Sequence, residues 1–128
     1  MRSRKERLSK LMDVQEQLKA LHETRRAGHL ASAAAAEAEA LQLVTRFDEA
    51  DSLSGLFPEI YHRRIAAALS RKDTELLLAQ EEATRIAAAT ARTNMVERAW
   101  RDLSRKDERQ QGDRDRLELI EQRLTSPK

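Results

Sequence analysis

The chain has 128 residues, no cysteine, four aromatic side chains of the Phe, Trp and Tyr type, and 24 Lys and Arg against 22 Asp and Glu. A disulfide framework and a thiolate metal site are excluded, and a net charge of +2 spread over interleaved signs does not by itself imply nucleic acid or an anionic membrane. Ala, Leu, Glu, Lys and Arg supply about 59% of the residues, as in coiled coils and long helices, while Leu, Ile, Val and Phe reach only about 20%, so the core must be narrow.

The first helix has a start signal in Ser3-Arg-Lys-Glu6, a capping box in which the serine oxygen and the glutamate carboxylate satisfy unpaired backbone donors. Arg2, Arg4, Lys5, Arg7 and Lys10 against a single Glu6 make this end locally basic. No apolar signal region follows these charges and no apolar run reaches 18 residues, so a cleaved signal and a membrane span are not expected. Apolar residues then recur at steps of three and four. Leu8, Leu11, Val14, Leu18 and Leu21 form the stripe, which Arg25 and Gly28 interrupt before Leu30. Ala31 to Ala40 is almost continuous alanine, and Leu41, Val44 and Phe47 restore larger side chains. Gly28 costs about 1 kcal/mol of helix propensity and reads as a soft joint.

The segment Asp51-Ser-Leu-Ser-Gly-Leu-Phe-Pro58 breaks the pattern and marks a reversal. The second helix is expected to begin at Pro58, since proline suits the first helical position and Glu59 complements the positive end of the dipole. Its seam reads Ile65, Leu69, Lys72, Leu76, Ala79, Ala83, Ile86, Thr90, Thr93, Glu97 and Trp100, an imperfect heptad. Near Met95, Val96, Ala99 and Leu103 the apolar face shifts around the helix, as a stutter would shift it.

With the reversal centred near Gly55, residue i faces roughly residue 110 − i, within a turn either way. The small block Ala33 to Ala36 then falls opposite Leu76 to Leu78, and Leu18 and Leu21 fall opposite the small run Ala87 to Ala91, as large-against-small packing requires. Residues after about Asp107 have no partner in this register. That overhang is wholly polar from Ser104 to Arg116, after which Leu117, Leu119, Ile120 and Leu124 restore an amphipathic turn or two with nothing of their own chain to bury against. It is the leading candidate for a helix-in-groove contact. The expected fold is therefore all-α: one domain over residues 1–128, a long antiparallel two-helix coiled-coil hairpin with a C-terminal helical overhang. Its helices cover about 3–51 and about 58–124, and the reversal covers 51–58.

Other chemistries fare less well. His22 and His29 lie seven apart on one helix face, about 10 Å from each other, which is too far to chelate one zinc-sized ion, so solvated helical histidines are the expectation. The carboxylate pairs Glu81/Glu82 and Asp113/Asp115 lack an apolar pocket to retune them. No phosphate loop, nucleophile elbow or ligand cluster occurs, so an enzyme is not expected, nor is a cofactor, a metal or a small-molecule substrate. Asp107, Glu108, Asp113, Asp115, Glu118 and Glu121 neutralise the arginines of the tail, which argues against nucleic acid. Leu53, Leu56, Phe57, Ile60 and Tyr61 are expected to plug the hairpin end, and Trp100 to sit in the seam.

The pattern resembles the flagellar export protein FliJ and its YscO-like relatives in type III secretion. The resemblance rests on Leu8-Ser-Lys-Leu-Met-Asp-Val14, the alanine- and glutamate-rich first helix, the midway reversal, and Glu97-Arg-Ala-Trp-Arg-Asp-Leu-Ser-Arg-Lys-Asp-Glu-Arg109 followed by the charged tail with Leu117 to Leu124. It implies a cytoplasmic, non-enzymatic stalk or chaperone-like component, peripheral to a membrane-embedded export apparatus. Its partners would be a hexameric export ATPase and the cytoplasmic part of the export gate membrane protein, with export chaperones as a further class. Carried onto this chain, the ATPase-facing end comprises Arg2, Arg4, Lys5, Arg7, Trp100, Leu117, Ile120 and Leu124. The gate-facing tip comprises Phe57, Ile60, Tyr61 and Arg64. The alternative is a generic coiled-coil adaptor or scaffold unrelated to secretion, which explains the heptads equally well.

Overall fold

A computed structural model describes residues 3–125. They form an all-α helical hairpin, with α1 over Arg4–Phe47, one turn of 3-10 helix over Leu53–Gly55, and α2 over Pro58–Thr125. Among the described residues there is no strand. Ser3 opens α1 as expected, its Oγ accepting from the Glu6 N–H at 3.2 Å. Pro58 opens α2. Gly28 and Gly112 interrupt neither helix, and nothing lies within 4 Å of the position a Gly28 Cβ would take, so this glycine faces open space.

The first helix stops at Phe47, four residues short of the expected boundary. The reason is local. Ser54 Oγ donates to the Phe47 carbonyl at 2.7 Å and Ser52 Oγ reaches the same oxygen at 3.4 Å, so hydroxyls occupy an acceptor that a continuing helix would have used. Ser52 also caps the 3-10 turn by accepting from the Ser54 N–H.

The contacts divide the described chain into two compact units, one built from the residues up to Gln17 with those from Ala89 onward, the other being Leu18–Ala88. In the second unit the covered column of α1 runs through His22, His29, Ala33, Ala36, Ala40, Leu43 and Phe47, at steps of seven, four, three, four, three and four, with Lys19 and Glu39 also half-buried. Arg26, which falls between the histidines, is exposed. On α2 the alternation of four and three runs through Tyr61, Ile65, Ala68, Lys72, Glu75, Ala79, Glu82 and Ile86, with Leu78 and Ala83 half-buried beside it. Alanine supplies most of the fully buried places, and Ala68 has no exposure. Helices packed on alanine approach to the short end of the usual ~8–10 Å interaxial range. In the other unit Lys5, Leu8, Met12 and Gln15 face Ala89, Thr93, Val96, Trp100 and Leu103 by the same alternation, and Ala89 is fully covered.

These positions correct the expected stripe on α1. Leu11, Val14, Leu18 and Leu21 stand one residue before the covered positions and are exposed by 36 to 49%. On α2 the column Ile65, Lys72, Ala79, Ile86, Thr93, Trp100 is as expected. The second column is Ala68, Glu75, Glu82, Ala89 and Val96, one residue before the expected Leu69, Leu76, Ala83, Thr90 and Glu97; Leu69 and Leu76 are exposed, while Ala83, Thr90 and Glu97 are half-buried at its edge. No stutter occurs near Met95, because Val96, Trp100 and Leu103 keep the phase. Leucine placed beside a seam imitates a seam in the sequence, whereas the true one is filled by alanine and by long polar side chains whose stems are apolar.

Candidate functional site

Three polar crossings occupy seam positions. His22 Nδ1 donates to Glu82 Oε2 and His29 Nδ1 to Glu75 Oε2, both across 2.6 Å. Gln15 Oε1 accepts from Arg92 Nε at 3.1 Å. The histidines expected to be solvated are therefore half-buried partners of carboxylates on the facing helix. A signal for them was present in the numbering, since His22 and His29 are seven apart and so are Glu82 and Glu75. Glu82 also receives Arg85 Nη1 at 2.7 Å. Burial works to raise its pKa, but the hydrogen bonds and charges of His22 and Arg85 outweigh burial and hold the carboxyl below its ordinary value. Such pairs join the two helices at fixed positions and so fix their register. Among the described residues no group of three His, Cys, Asp or Glu could hold a metal ion, and no helix is long and apolar enough to cross a membrane.

At the basic end, Arg4 and Arg7 are exposed, and the Lys5 ammonium lies 5.2 Å from the centroid of the half-buried Trp100 ring. The cation screens one face of the indole, so Trp100 belongs to the seam. Arg2, assigned to the same end, lies outside the described residues. The last side chains of α2 with cover are those of Leu103 and Ser104, and Ser104 Oγ has no hydrogen-bond partner among the described residues.

Beyond Ser104 the helix continues without a break to Thr125, and every residue is exposed apart from the half-buried Gly112. Leu117 and Leu124 stand fourteen and twenty-one residues after Leu103, in phase with the covered column, and are 60% and 81% exposed. Ile120 lies with Arg116, Leu119 and Arg123 around a shallow groove of about 220 Å³.

The tip residues come together. Phe57, Ile60, Tyr61 and Arg64, with Leu53, line one cleft of about 210 Å³. Tyr61 and His62 both meet Phe47 edge to face, at centroid distances of 5.8 and 5.3 Å. Phe47 thus plugs the end of the hairpin, while Leu53, Leu56, Phe57 and Ile60 remain exposed by 48 to 74%. Leu53 completes this cleft because the 3-10 turn, which sequence periodicity does not reveal, folds it toward α2.

The fold and these surfaces define a class, the all-α helical hairpin with one extended arm. Comparison of the chain with protein-family models, with curated proteins and with solved structures found no match.

Proposed function

We propose that this chain is a non-enzymatic docking element that works through the arm of α2 and the basic start of α1. Its partner on this reading is the hexameric ATPase of a flagellar or type III export apparatus. The tip cleft of Phe57, Ile60, Tyr61 and Arg64 would contact the cytoplasmic part of the export gate, which puts the protein at the cytoplasmic face of that membrane assembly. One observation carries the reading: the arm repeats the seam's phase through Leu117 and Leu124 while nothing in the described chain covers it. A helix in that state is built to be completed by another helix or by a groove. Arg4 and Arg7 add exposed cations beside it for carboxylates around a ring's pore.

Titration of the purified chain into the hexameric ATPase, with hydrolysis rate and ring assembly followed at two salt concentrations, tests the proposal. Stimulation or ring stabilisation is expected, weaker at the higher salt and weaker for a variant lacking Arg2, Arg4, Lys5 and Arg7. No effect at either salt overturns the assignment. The second reading is an adaptor unrelated to secretion. It is favoured by the exposed apolar residues that both helices carry along one side of the Leu18–Ala88 unit, which a stalk does not require.

A further inference from the structure

Within the Leu18–Ala88 unit, the residue after each seam position tells a different story from the residue before it. Before the seam positions stand mostly polar or small groups, among them Glu39 and Arg71, which pair across the helices, and Ser32, Gln42, Arg64 and Thr74; the exposed exceptions, Leu21 and Ile60, lie near the two ends of the unit. After them stand Leu30, Leu41 and Val44 on α1 and Leu69 and Leu76 on α2, exposed by 37 to 62%. Ala34 and Ala66 continue the stripe. In an antiparallel pair, positions that follow the seam on either helix fall on the same side. The unit therefore carries a second apolar face, two helices wide.

We propose that this face is the contact surface between two copies of the chain, packed as a four-helix layer pair. Three features favour a copy over a foreign partner. The five large side chains leave exposed apolar area on the order of 400 Å², the size at which a patch on a monomer signals a partner, and about half of the ~800 Å² each side gives to a standard interface. The alanines and aliphatic stems between them supply more. A face two helices wide is closed by a layer two helices wide, which a second hairpin provides at matching length. Between Leu30 and Val44 the face is also nearly neutral: Glu37 is joined to Lys72 across it at 3.3 Å, Asp73 adds one further charge, and Glu23 and Asp48 lie beyond the ends of the leucine stripe. A strongly charged partner has nothing to read there, and a copy is not repelled.

The charge pattern also selects the symmetry. A two-fold axis along the helices sets α1 against α2 of the second copy in the register the hairpin already uses. Leu30 then meets the partner's Leu76, and Leu41 meets the partner's Ala66. A two-fold across the helices would lay α2 on the partner's α2, bringing Asp73 toward its own copy, and no single centre would align the leucines of both helices. The tips of the two copies therefore lie at the same end. This inference stands apart from the export reading and needs no ATPase to test.

The experiment is sedimentation equilibrium of the full chain over a concentration series, joined to a spin-label distance at Gly55→Cys. No other cysteine is present, and Gly55 has nothing within 4 Å of a Cβ position. A species of twice 14.7 kDa is expected, with Leu76→Glu and Leu41→Glu each weakening association at least about 100-fold, and with Thr74→Glu, on the other side, leaving it unchanged. Paired tips place the labels about 20–30 Å apart. Opposed tips would separate them by about 40–50 Å, because about 10–14 helical residues of 1.5 Å rise, and then the turn, lie between the middle of the stripe and each tip. A monomer at all concentrations, a dimer indifferent to both glutamates, or the long distance each overturns the proposal. The distance needs no glutamate variant, so loss of helix in those variants does not shelter it.

Discussion

The stretch of α2 from Tyr61 to Leu103 and the stretch beyond Ser104 share one heptad phase and differ in everything else. The first places Ala68, Ala79 and Ala89 where side chains meet, all almost fully covered. The second places Leu117 and Leu124 on the column of Ala68 and Ala89 and leaves them in water. Small residues are covered because a partner helix is present to touch them, and large ones are bare because none is. Burial follows the partner's presence, and side-chain size then sets only how closely the partner comes.

The sharpest way to break that difference is to put a large side chain where the helices touch. Ala68→Leu and Ala89→Leu should each destabilise the hairpin by about 1–3 kcal/mol, read as a lower thermal midpoint, because a fully covered alanine has no room to grow. Either substitution leaving the midpoint unchanged would mean the helices separate freely at that level. Next in size is acid. Since the Glu82 carboxyl is held below its ordinary value, its contribution is complete above that value and is lost as pH falls through the lowered one. Unfolding midpoints should drop on acidification through the carboxylate range, and Glu82→Gln should flatten that part of the profile; a profile identical to the parent's counts against the His22 and Arg85 contacts.

A smaller effect is expected at the end of the covered region. Lys5→Ala removes the cation over Trp100 and should cost about 0.5–1 kcal/mol, accompanied by a change in indole fluorescence. An unaltered spectrum would place the lysine in solvent. The smallest is on the arm itself: Leu117→Ser with Leu124→Ser should leave stability within about 0.5 kcal/mol and, on the proposed docking role, weaken binding to the proposed ATPase partner. A large loss of stability would show that the arm is covered after all.

Much of this architecture is legible in the residues. The alternation of threes and fours, Ser3 and Pro58 as helix starts, and the Ser-Gly-Pro reversal specify two antiparallel helices, and the emptiness of the arm follows from counting back from the turn. Observed cross-helix pairs such as Glu39 with Arg71, His29 with Glu75 and Gln15 with Arg92 have residue numbers adding to between 104 and 110, at or below the expected 110. What stayed hidden was which stripe faces inward. Leu11, Leu18, Leu69 and Leu76 are the more apolar choice at each step, yet they flank the seam, because a seam may be completed by His–Glu pairs and lysine stems whose value appears only when the facing helix is in place. Of the candidate binding residues, the tip set was legible as a cluster through its spacing at the start of α2, while Leu53 depended on a 3-10 turn without a periodic signature.

The serine hydroxyls on the Phe47 carbonyl bear on how quickly the molecule forms. Ten residues lie between Phe47 and Pro58, and joining the helices there closes the smallest loop available, at the lowest entropic cost. Every pair farther from the turn has more chain between its members and becomes affordable to search only after the inner pairs are made, so assembly should run outward from the serines like a zip. Removing both hydroxyls should then slow folding, whereas damage at Trp100, made late, should mainly speed unfolding.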